Sequence, residues 1–328
     1  MNKSVVSFLV ALTLAPPGLA EAQQTEKMRV IGYLSPADGP TVATEVFKRG
    51  LRELGWIEGQ NLKIEYRWAA NKADRLPALA EELVRLNVDL IVGQSTPAVQ
   101  AAKTATTTIP IVMGAAADAE GSGFVASLAR PGGNITGVSM MMSELAGKRL
   151  ELLRELVPRL SRVAYLAFGP DPAHKLFLKQ TQEAGRSLKV RVQPVVVGGP
   201  EEFQSAFSAM RKERADALVV QPLFSNTLGL GPQVAELAAT HRLPTISDGN
   251  GFAEAGGLLY YGPDVLAILG RIAGYVDRIL KGAKPAELPV EQPRTFQLVI
   301  NLKTAKRLGL KVPQSLLSRA DKVIAEGR

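Results

Sequence analysis

Short, continuous apolar segments alternate with amphipathic segments along almost the whole chain, and this alternation constrains the fold strongly. The apolar segments are rich in β-branched residues and contain no polar interruptions, as in Leu90-Ile91-Val92. Strands of this kind are covered on both faces, which is typical of parallel sheets built from βαβ units. Strands are predicted at 29–34, 62–68, 89–92, 109–113, 135–138, 162–168, 190–197, 217–220, 245–246, 258–260 and 296–300. Helices are predicted between them at 44–54, 75–86, 145–156, 173–188, 203–212, 234–241 and 265–281.

The βα series occurs twice, once up to about residue 138 and again from about residue 162. Two lobes, each a doubly wound parallel sheet, form the simplest α/β architecture for such a repeat, and a chain of this length usually divides into two domains. Ligands of open parallel sheets bind beyond the carboxyl ends of the strands. The predicted site is therefore a cleft between the lobes.

The N-terminus has the pattern of a secretory signal peptide over residues 1–22. Lys3 precedes an apolar run of about ten residues, Pro16-Pro17-Gly18 interrupts it, and Ala20-Glu21-Ala22 provides a cleavage site. A membrane span needs about twenty apolar residues, so no membrane insertion is predicted. We expect a soluble, monomeric periplasmic protein.

Composition excludes several classes of function. The chain has no cysteine and only two histidines, so thiolate chemistry is excluded, and neither a metal site nor a cofactor motif is predicted. The net charge is +8, but the basic residues are scattered and aromatic residues make up only 5%. Nucleic-acid binding favours a basic stripe with interleaved aromatic residues, so no nucleic-acid partner is expected.

Two short motifs resemble enzyme or nucleotide signatures. Residues 121–126 match G-x-G-x-x-A, but they begin about eight residues after the predicted strand, whereas a dinucleotide fingerprint follows its strand immediately. Residues 93–97 resemble a nucleophile elbow around Ser95, except that Pro97 replaces the second glycine. A strand followed by a helix N-terminus also suits a carboxylate ligand, because the free N–H groups point at it. Ser95 and Thr96 could instead simply cap that helix.

The remaining candidates lie in the loops that follow predicted strands. Ser35, Ser95 and Thr96 are expected to donate from the first lobe, and Asp118 either accepts from the ligand or caps the next helix. Phe168 and Phe224 are predicted cleft walls, with core packing as the alternative for each. The full set of candidate ligand-binding residues is Ser35, Gln94, Ser95, Thr96, Asp118, Phe168, Asp171, Phe224, Ser225, Asn226 and Asn250.

Several segments together resemble the substrate-binding proteins of ABC transporters, in particular the relatives that bind tryptophan or tyrosine. The most distinctive segment is 123–138, which contains Arg130-Pro131-Gly132-Gly133-Asn134. The others are 47–56, 58–61, 64–68, 75–80, 96–98, 109–112, 288–293 and 298–305.

The resemblance implies a periplasmic-binding-protein type I fold with three crossovers at the hinge. It implies a first lobe of residues 28–138 plus 258–283 and a second of 139–257 plus 288–328. The implied function is solute capture without catalysis, by hinge closure, for an ABC permease and its ATPase. The implied solute is an aromatic amino acid or a related carboxylate. Two alternative functions stay open: an exported sensor module of the same fold, and a serine hydrolase that uses Ser95.

The chain departs from the amino-acid-binding relatives at the expected cleft. Asp118 is followed by Ala119-Glu120 instead of Pro-Val, and Phe224-Ser225-Asn226 replaces a Thr-Asp-Asn-like turn. The acidic pair that those relatives carry near Asn250 is absent apart from Asp248. Fewer acids are therefore present to hold a ligand ammonium group.

Overall fold

The computed structural model of the protein describes residues 28–140 and 145–325, apart from the side chains of Ala115, Asn226, Val265 and Leu266. The predicted signal peptide, residues 1–22, lies outside the described residues. Within the described ranges, none of the helices combines the length and apolar character needed to cross a membrane.

The first lobe is a five-stranded, fully parallel sheet. Its strands are β1 (Arg29–Ser35), β2 (Leu62–Trp68), β3 (Leu90–Gly93), β4 (Ile111–Ala116) and β5 (Ile135–Ser139), in the order β2-β1-β3-β4-β5. The helices α1 (Val42–Glu53), α2 (Leu76–Arg85) and α3 (Thr96–Ala105) follow β1, β2 and β3. The residues of β3, β5 and most of β4 are buried, as the continuous apolar segments predict.

The second lobe is a seven-stranded sheet. Its strands are β6 (Arg162–Phe168), β7 (Arg191–Val197), β8 (Ala217–Val220), β9 (Thr245–Ser247), β10 (Leu259–Pro263), β11 (Phe296–Asn301) and β12 (Lys322–Ile324), in the order β12-β11-β10-β9-β8-β6-β7. Its helices are α4 (Ala146–Leu156), α5 (His174–Leu188), α6 (Phe203–Lys212), α7 (Leu223–Asn226), α8 (Gly231–Thr240), α10 (Leu302–Leu308) and α11 (Gln314–Leu317). β10 and β11 are antiparallel, whereas the other neighbours are parallel.

The implied assignment of 258–283 to the first lobe is wrong for the strand. β10 pairs with β9 in the second sheet, with Leu259 opposite Ile246. The following helix, α9 (Val265–Leu280), does return to the first lobe, where it packs on α1 so closely that a Cβ on Gly50 would lie 2.9 Å from Ala273 Cβ. The chain therefore crosses between the lobes at Asp264, inside one strand–helix unit.

Two further crossings complete the connection between the lobes. One joins β5 to α4. The other follows residues 288–291, which run beside β5: the Ser139 N–H donates to the Glu291 carbonyl at 2.9 Å and the Glu291 N–H to the Gly137 carbonyl at 3.0 Å. From there the chain enters β11. The lobes thus share three adjacent connections, the arrangement that permits a hinge.

Candidate ligand-binding cleft

Loops from both lobes enclose a cavity of about 800 Å³. The first lobe contributes the loop after β1 and the start of α1, and the second contributes the ends of β8 and β9 together with β10 to β12. The lining residues include Asp38, Thr41, Ser225, Asn250, Glu254, Tyr260, Asp264, Gln297 and Lys322. The lobes also touch directly, because Ala73 of the first lobe packs against the apolar core of the second. The loop after β1 in the first lobe therefore faces the ends of β8 and β9 in the second across an open cleft.

The start of α3, at the carboxyl end of β3 in the first lobe, has an unusual backbone. Ser95 has φ of +100° and ψ of 163°, a region that only glycine occupies without strain. Its hydroxyl is buried and forms no hydrogen bond to any described residue, and it does not cap the helix. The first N–H groups of a helix have no intrahelical acceptors and carry a partial positive charge. Ser95 thus presents an unsatisfied donor beside a helix N-terminus.

The neighbouring polar residues of the first lobe hold that turn in place. Thr96 Oγ1 accepts a hydrogen bond from the Ala117 N–H at 2.9 Å, which ties α3 to the end of β4. Ser35 Oγ accepts from the Ala37 N–H at 3.2 Å and shapes the loop after β1. Gln94 is buried with its Oε1 so near Gly114 that a Cβ there would lie 2.5 Å away. These three predicted ligand residues are close to Ser95 in the fold, and each has a supporting contact within the first lobe.

Asp118 stabilises a turn and does not cap a helix, which is the structural alternative considered for it. Its Oδ1 accepts from the Gly121 N–H at 2.9 Å. Between β4 and β5 the described chain forms turns and no helix. A dinucleotide fingerprint requires a helix N-terminus for the pyrophosphate, so residues 121–126 do not form such a site.

In the second lobe Asp171 belongs to a buried hydrogen-bond chain. Gln221 accepts from the Phe168 N–H at 2.7 Å and donates to Asp171 Oδ2 at 2.5 Å, while the Ala173 N–H donates to Asp171 Oδ1 at 3.0 Å. Burial raises the pKa of Asp171 to about 7, and the bonds from Ala173 and Gln221 only partly oppose that rise. Asp171 therefore fixes the loop after β6 to the end of β8.

Phe168 and Phe224 are core residues, which corrects the prediction that they form cleft walls. They are 1% and 0% exposed and meet edge to face with ring centroids 6.1 Å apart. Phe224 also packs edge to face on Phe203, at 5.7 Å. Both rings lie within the apolar cluster of the second lobe, so their contacts are with that core and not with the cavity.

Ser225 and Asn250, two of the predicted ligand residues, line the cavity. Ser225 sits between two glycines: a Cβ on Gly231 would lie 2.6 Å from its hydroxyl oxygen, and one on Gly249 would lie 2.8 Å from its Cβ. The hydroxyl is buried and has no hydrogen-bond partner among the described residues. Asn226 is the last residue of α7, and its side chain lies outside the described part of the structure.

Arg149 is a buried charged residue beside the end of β9 that the sequence interpretation did not select. Its guanidinium Nη1 lies 2.5 Å from Asp248 Oδ2, and the two side chains are only 4% and 3% exposed. The available signal is its position on α4, because Arg149 shares the buried face of that helix with Leu153 and Leu156. A charged residue on such a face predicts a buried partner of opposite charge.

No histidine is placed to activate Ser95. His174 Nδ1 lies 2.6 Å from the Asp171 carbonyl oxygen, and His241 packs against the Phe207 ring at 5.5 Å. Nucleophilic serine catalysis needs a base within hydrogen-bond reach, and the Ser95 hydroxyl has no such contact within the described residues. Those residues also contain no group of three or more potential metal ligands.

Comparison with known proteins identifies close likenesses over almost the full length. A family model described as ABC transporter substrate binding protein matches residues 30–324. A tyrosine-binding protein of Clostridioides difficile is 27% identical over 325 residues, covering 94% of this chain and 93% of that protein. Among solved structures, an ABC domain from Streptococcus pneumoniae in complex with L-Trp is 29% identical with a TM-score of 0.80, covering 90% of this chain and 99% of the other. A conserved domain protein from Vibrio cholerae is 25% identical with a TM-score of 0.81, covering 90% and 100%.

Proposed function

The chain belongs to the family of ABC transporter substrate-binding proteins, and from that premise we propose that it captures a small organic carboxylate between its lobes. The structural relative from Streptococcus pneumoniae was solved with L-Trp, and the curated relative from Clostridioides difficile is named a tyrosine-binding protein. Both ligands combine a carboxylate with an aromatic side chain. An aromatic acid or a related carboxylate is the ligand class that we propose for this chain.

The observation that carries the proposal is the start of α3. Ser95 keeps a strained backbone and a buried, unsatisfied hydroxyl at the N-terminus of a ten-residue helix. Strain of this kind persists where the surrounding structure enforces it, and it concentrates at ligand sites. A ligand carboxylate would accept from the Ser95 hydroxyl and from the first N–H groups of α3.

The other candidate residues are divided in this proposal into ligand contacts, residues that hold the loops and residues of the core. Thr96, Ser225 and Asn250 are proposed ligand contacts, with Asn226 beside them on α7. Ser35, Gln94, Asp118 and Asp171 are proposed to hold the loops that position those contacts. Phe168 and Phe224 are proposed to support the second-lobe loops from the core below.

The cellular setting is part of the same proposal. Cleavage after Ala22 would release a monomer into the periplasm, where the closed lobes would deliver the solute to a permease and its ATPase without chemical change. The family match favours this role over a sensor module. Cell fractionation and N-terminal sequencing of the mature protein test the compartment, and recovery of full-length protein from the cytoplasm would contradict it.

The proposed site is tested by identifying the bound solute and then removing the Ser95 hydroxyl. Mass spectrometry of the solute that co-purifies with the folded protein should find a carboxylate. Isothermal titration with that solute, or with 3-(4-hydroxyphenyl)propionate as a probe, should show that Ser95→Ala weakens binding about 10- to 100-fold, the loss of one hydrogen bond to a charged group. Ser208→Ala on the exposed face of α6 is the matched control and should bind normally. Equal affinity for the two variants would refute the site.

A further inference from the structure

The ion pair of Arg149 and Asp248 lies against the proposed ligand cavity. Asp248 directly follows β9 and precedes Gly249 and Asn250, and Asn250 lines the cavity. A Cβ on Gly262 would lie 2.9 Å from Asp248 Cβ and 3.1 Å from the hydroxyl of Tyr260, another lining residue. Asp248 is thus a buried carboxylate directly behind residues that line the second-lobe wall of the cavity.

We infer that Arg149 determines ligand specificity by neutralising Asp248, so that the cleft selects carboxylates that lack an α-ammonium group over the corresponding amino acids. This inference rests on the proposed carboxylate ligand and names its class more narrowly. A carboxylate at the end of β9 could otherwise hold a ligand ammonium group. In this chain that carboxylate already pairs with a guanidinium at 2.5 Å.

The pair of Arg149 and Asp248 carries no net negative charge in either protonation state of Asp248. Arginine stays protonated in proteins, so the pair is neutral when Asp248 is ionised and carries +1 when Asp248 is protonated. Burial raises the pKa of Asp248, and Arg149 opposes the rise. Neither state presents net negative charge to the cavity. A desolvated ligand ammonium would find no uncompensated anion in this pair, and burying an unpaired charge is strongly unfavourable.

The other strand-end carboxylates are also engaged within their own lobes. Asp171 accepts from Gln221 and Ala173, and Asp118 accepts from Gly121. Each therefore has a structural hydrogen-bond donor where a ligand ammonium would have to compete.

The acids that line the cavity are hydrogen-bonded, ion-paired or exposed. Asp264 accepts from the Ala267 N–H at 3.2 Å and from Gln297 Nε2 at 3.2 Å, and Glu254 pairs with Lys322 at 2.8 Å. Asp38 is exposed, and an exposed carboxylate contributes little to an ion pair because water screens it. Asp248 is not itself a lining residue, but it is the buried acid directly behind the lining residues Asn250 and Tyr260, and the inference rests on its charge.

The test uses ligand pairs that differ only in the α-ammonium group. Isothermal titration would compare 3-(4-hydroxyphenyl)propionate with L-tyrosine, and indole-3-propionate with L-tryptophan. Wild-type protein is expected to bind the propionate of a pair at least about tenfold more tightly. Equal or tighter binding of the amino acid overturns this inference while leaving the carboxylate site intact. Absence of binding by all four overturns the proposed aromatic-acid ligand and this inference with it.

Variants of the pair should move the ratio of the two affinities in opposite directions. Arg149→Met frees Asp248 to accept an ammonium group, so the preference for the propionate should shrink at least about tenfold. Asp248→Asn leaves the guanidinium uncompensated, so the preference should widen. The double variant Arg149→Met/Asp248→Asn is uncharged and should keep the wild-type ratio.

The double variant also keeps the experiment decisive if a single variant fails to fold, because replacing both members of a buried pair is much better tolerated than removing one. Circular dichroism would confirm that each variant folds. A purely structural role for Arg149 predicts that both affinities fall together with an unchanged ratio in every folded variant, and that result would overturn the inference.

Discussion

Replacement of Ser95 by glycine should stabilise the unliganded protein and weaken its ligand binding at the same time. Ser95 lies at φ +100° and ψ 163°, where a side chain is strained and glycine is not. The same residue supplies the buried hydroxyl that we propose as a ligand donor. One substitution therefore removes a source of strain and a binding group together.

The two effects can be estimated separately. A non-glycine residue in this region of φ and ψ costs about 1–3 kcal/mol of stability. Glycine removes that cost but loses more conformational freedom on folding, which reduces the gain by about 0.5–1 kcal/mol. The net expectation is a gain of about 1 kcal/mol in the free energy of unfolding. Loss of a hydrogen bond to a carboxylate costs about 1.5–3 kcal/mol, which weakens affinity about 10- to 150-fold.

Urea unfolding followed by tryptophan fluorescence is suited to the stability measurement. The chain has two tryptophans, Trp56 and Trp68, and both lie in the first lobe with Ser95. Ser95→Ala is the matched control, because it removes the hydroxyl but keeps a Cβ in the strained conformation. Both variants should lose affinity by a similar factor, whereas the glycine variant should be the more stable of the two.

Two results would refute this reasoning. A glycine variant no more stable than the alanine variant would show that the backbone at residue 95 stores no strain. Unchanged affinity in both variants would show that the hydroxyl does not contact the ligand. The first result bears on the backbone and the second on the site, so each can fail independently.

Three further substitutions test the scaffold around the cleft. The pKa of Asp171 is raised to about 7 in the folded state from about 3.9 in the unfolded chain, so its contribution to stability is complete below about pH 4 and is lost as the pH rises to about 7. Urea unfolding across that window should show that the free energy of unfolding falls with pH, with a slope of up to about 1.4 kcal/mol per pH unit. Asp171→Asn should lack this slope, and parallel curves for the two proteins would contradict the raised pKa. Gly137→Ala should cost about 2–5 kcal/mol, since its φ is +127° and a Cβ would lie 2.5 Å from the Met113 carbonyl oxygen; Gly133→Ala, with no neighbour within 4 Å, should be neutral in the same thermal unfolding assay. Phe224→Leu should lower the free energy of unfolding by about 1–3 kcal/mol, while the ligand affinity measured by titration should stay unchanged. A loss of affinity without a loss of stability would instead support the prediction that Phe224 forms a wall of the cleft.

The secondary structure could be predicted well because apolar continuity depends only on local sequence. The strands β2, β6 and β8 begin and end where the pattern predicts, and the other predicted strands differ by one to three residues at an end. The missed strand, β12, has exposed or half-exposed residues and pairs only at the sheet edge with β11. Such a strand has no apolar signal, since its backbone pairing alone holds it.

Partition between the lobes was harder to predict because it is a tertiary property. β10 and α9 are adjacent in the chain and have the pattern of one βα unit, but the strand pairs in the second sheet and the helix covers the first. The sequence pattern shows that each element must bury an apolar face. It does not show which lobe provides the surface against which that face packs. The antiparallel direction of β11 arises in the same way, because its chain enters the second sheet from a crossing beside β5.

The same limit applies to the candidate site, because position at a strand end points to loops and not to the side chains in them that remain available to a ligand. Asp171 and Asp248 both follow strands of the second sheet, and each is bound by a residue distant in sequence, Gln221 or Arg149. A strand-end acid therefore indicates a ligand ammonium only when no donor of its own lobe occupies it. Ser95 is the opposite case, because its buried hydroxyl has no partner among the described residues and its backbone is strained. The cleft thus combines satisfied acids with an unsatisfied donor at a helix N-terminus, and this combination favours a ligand that brings negative charge and no positive charge.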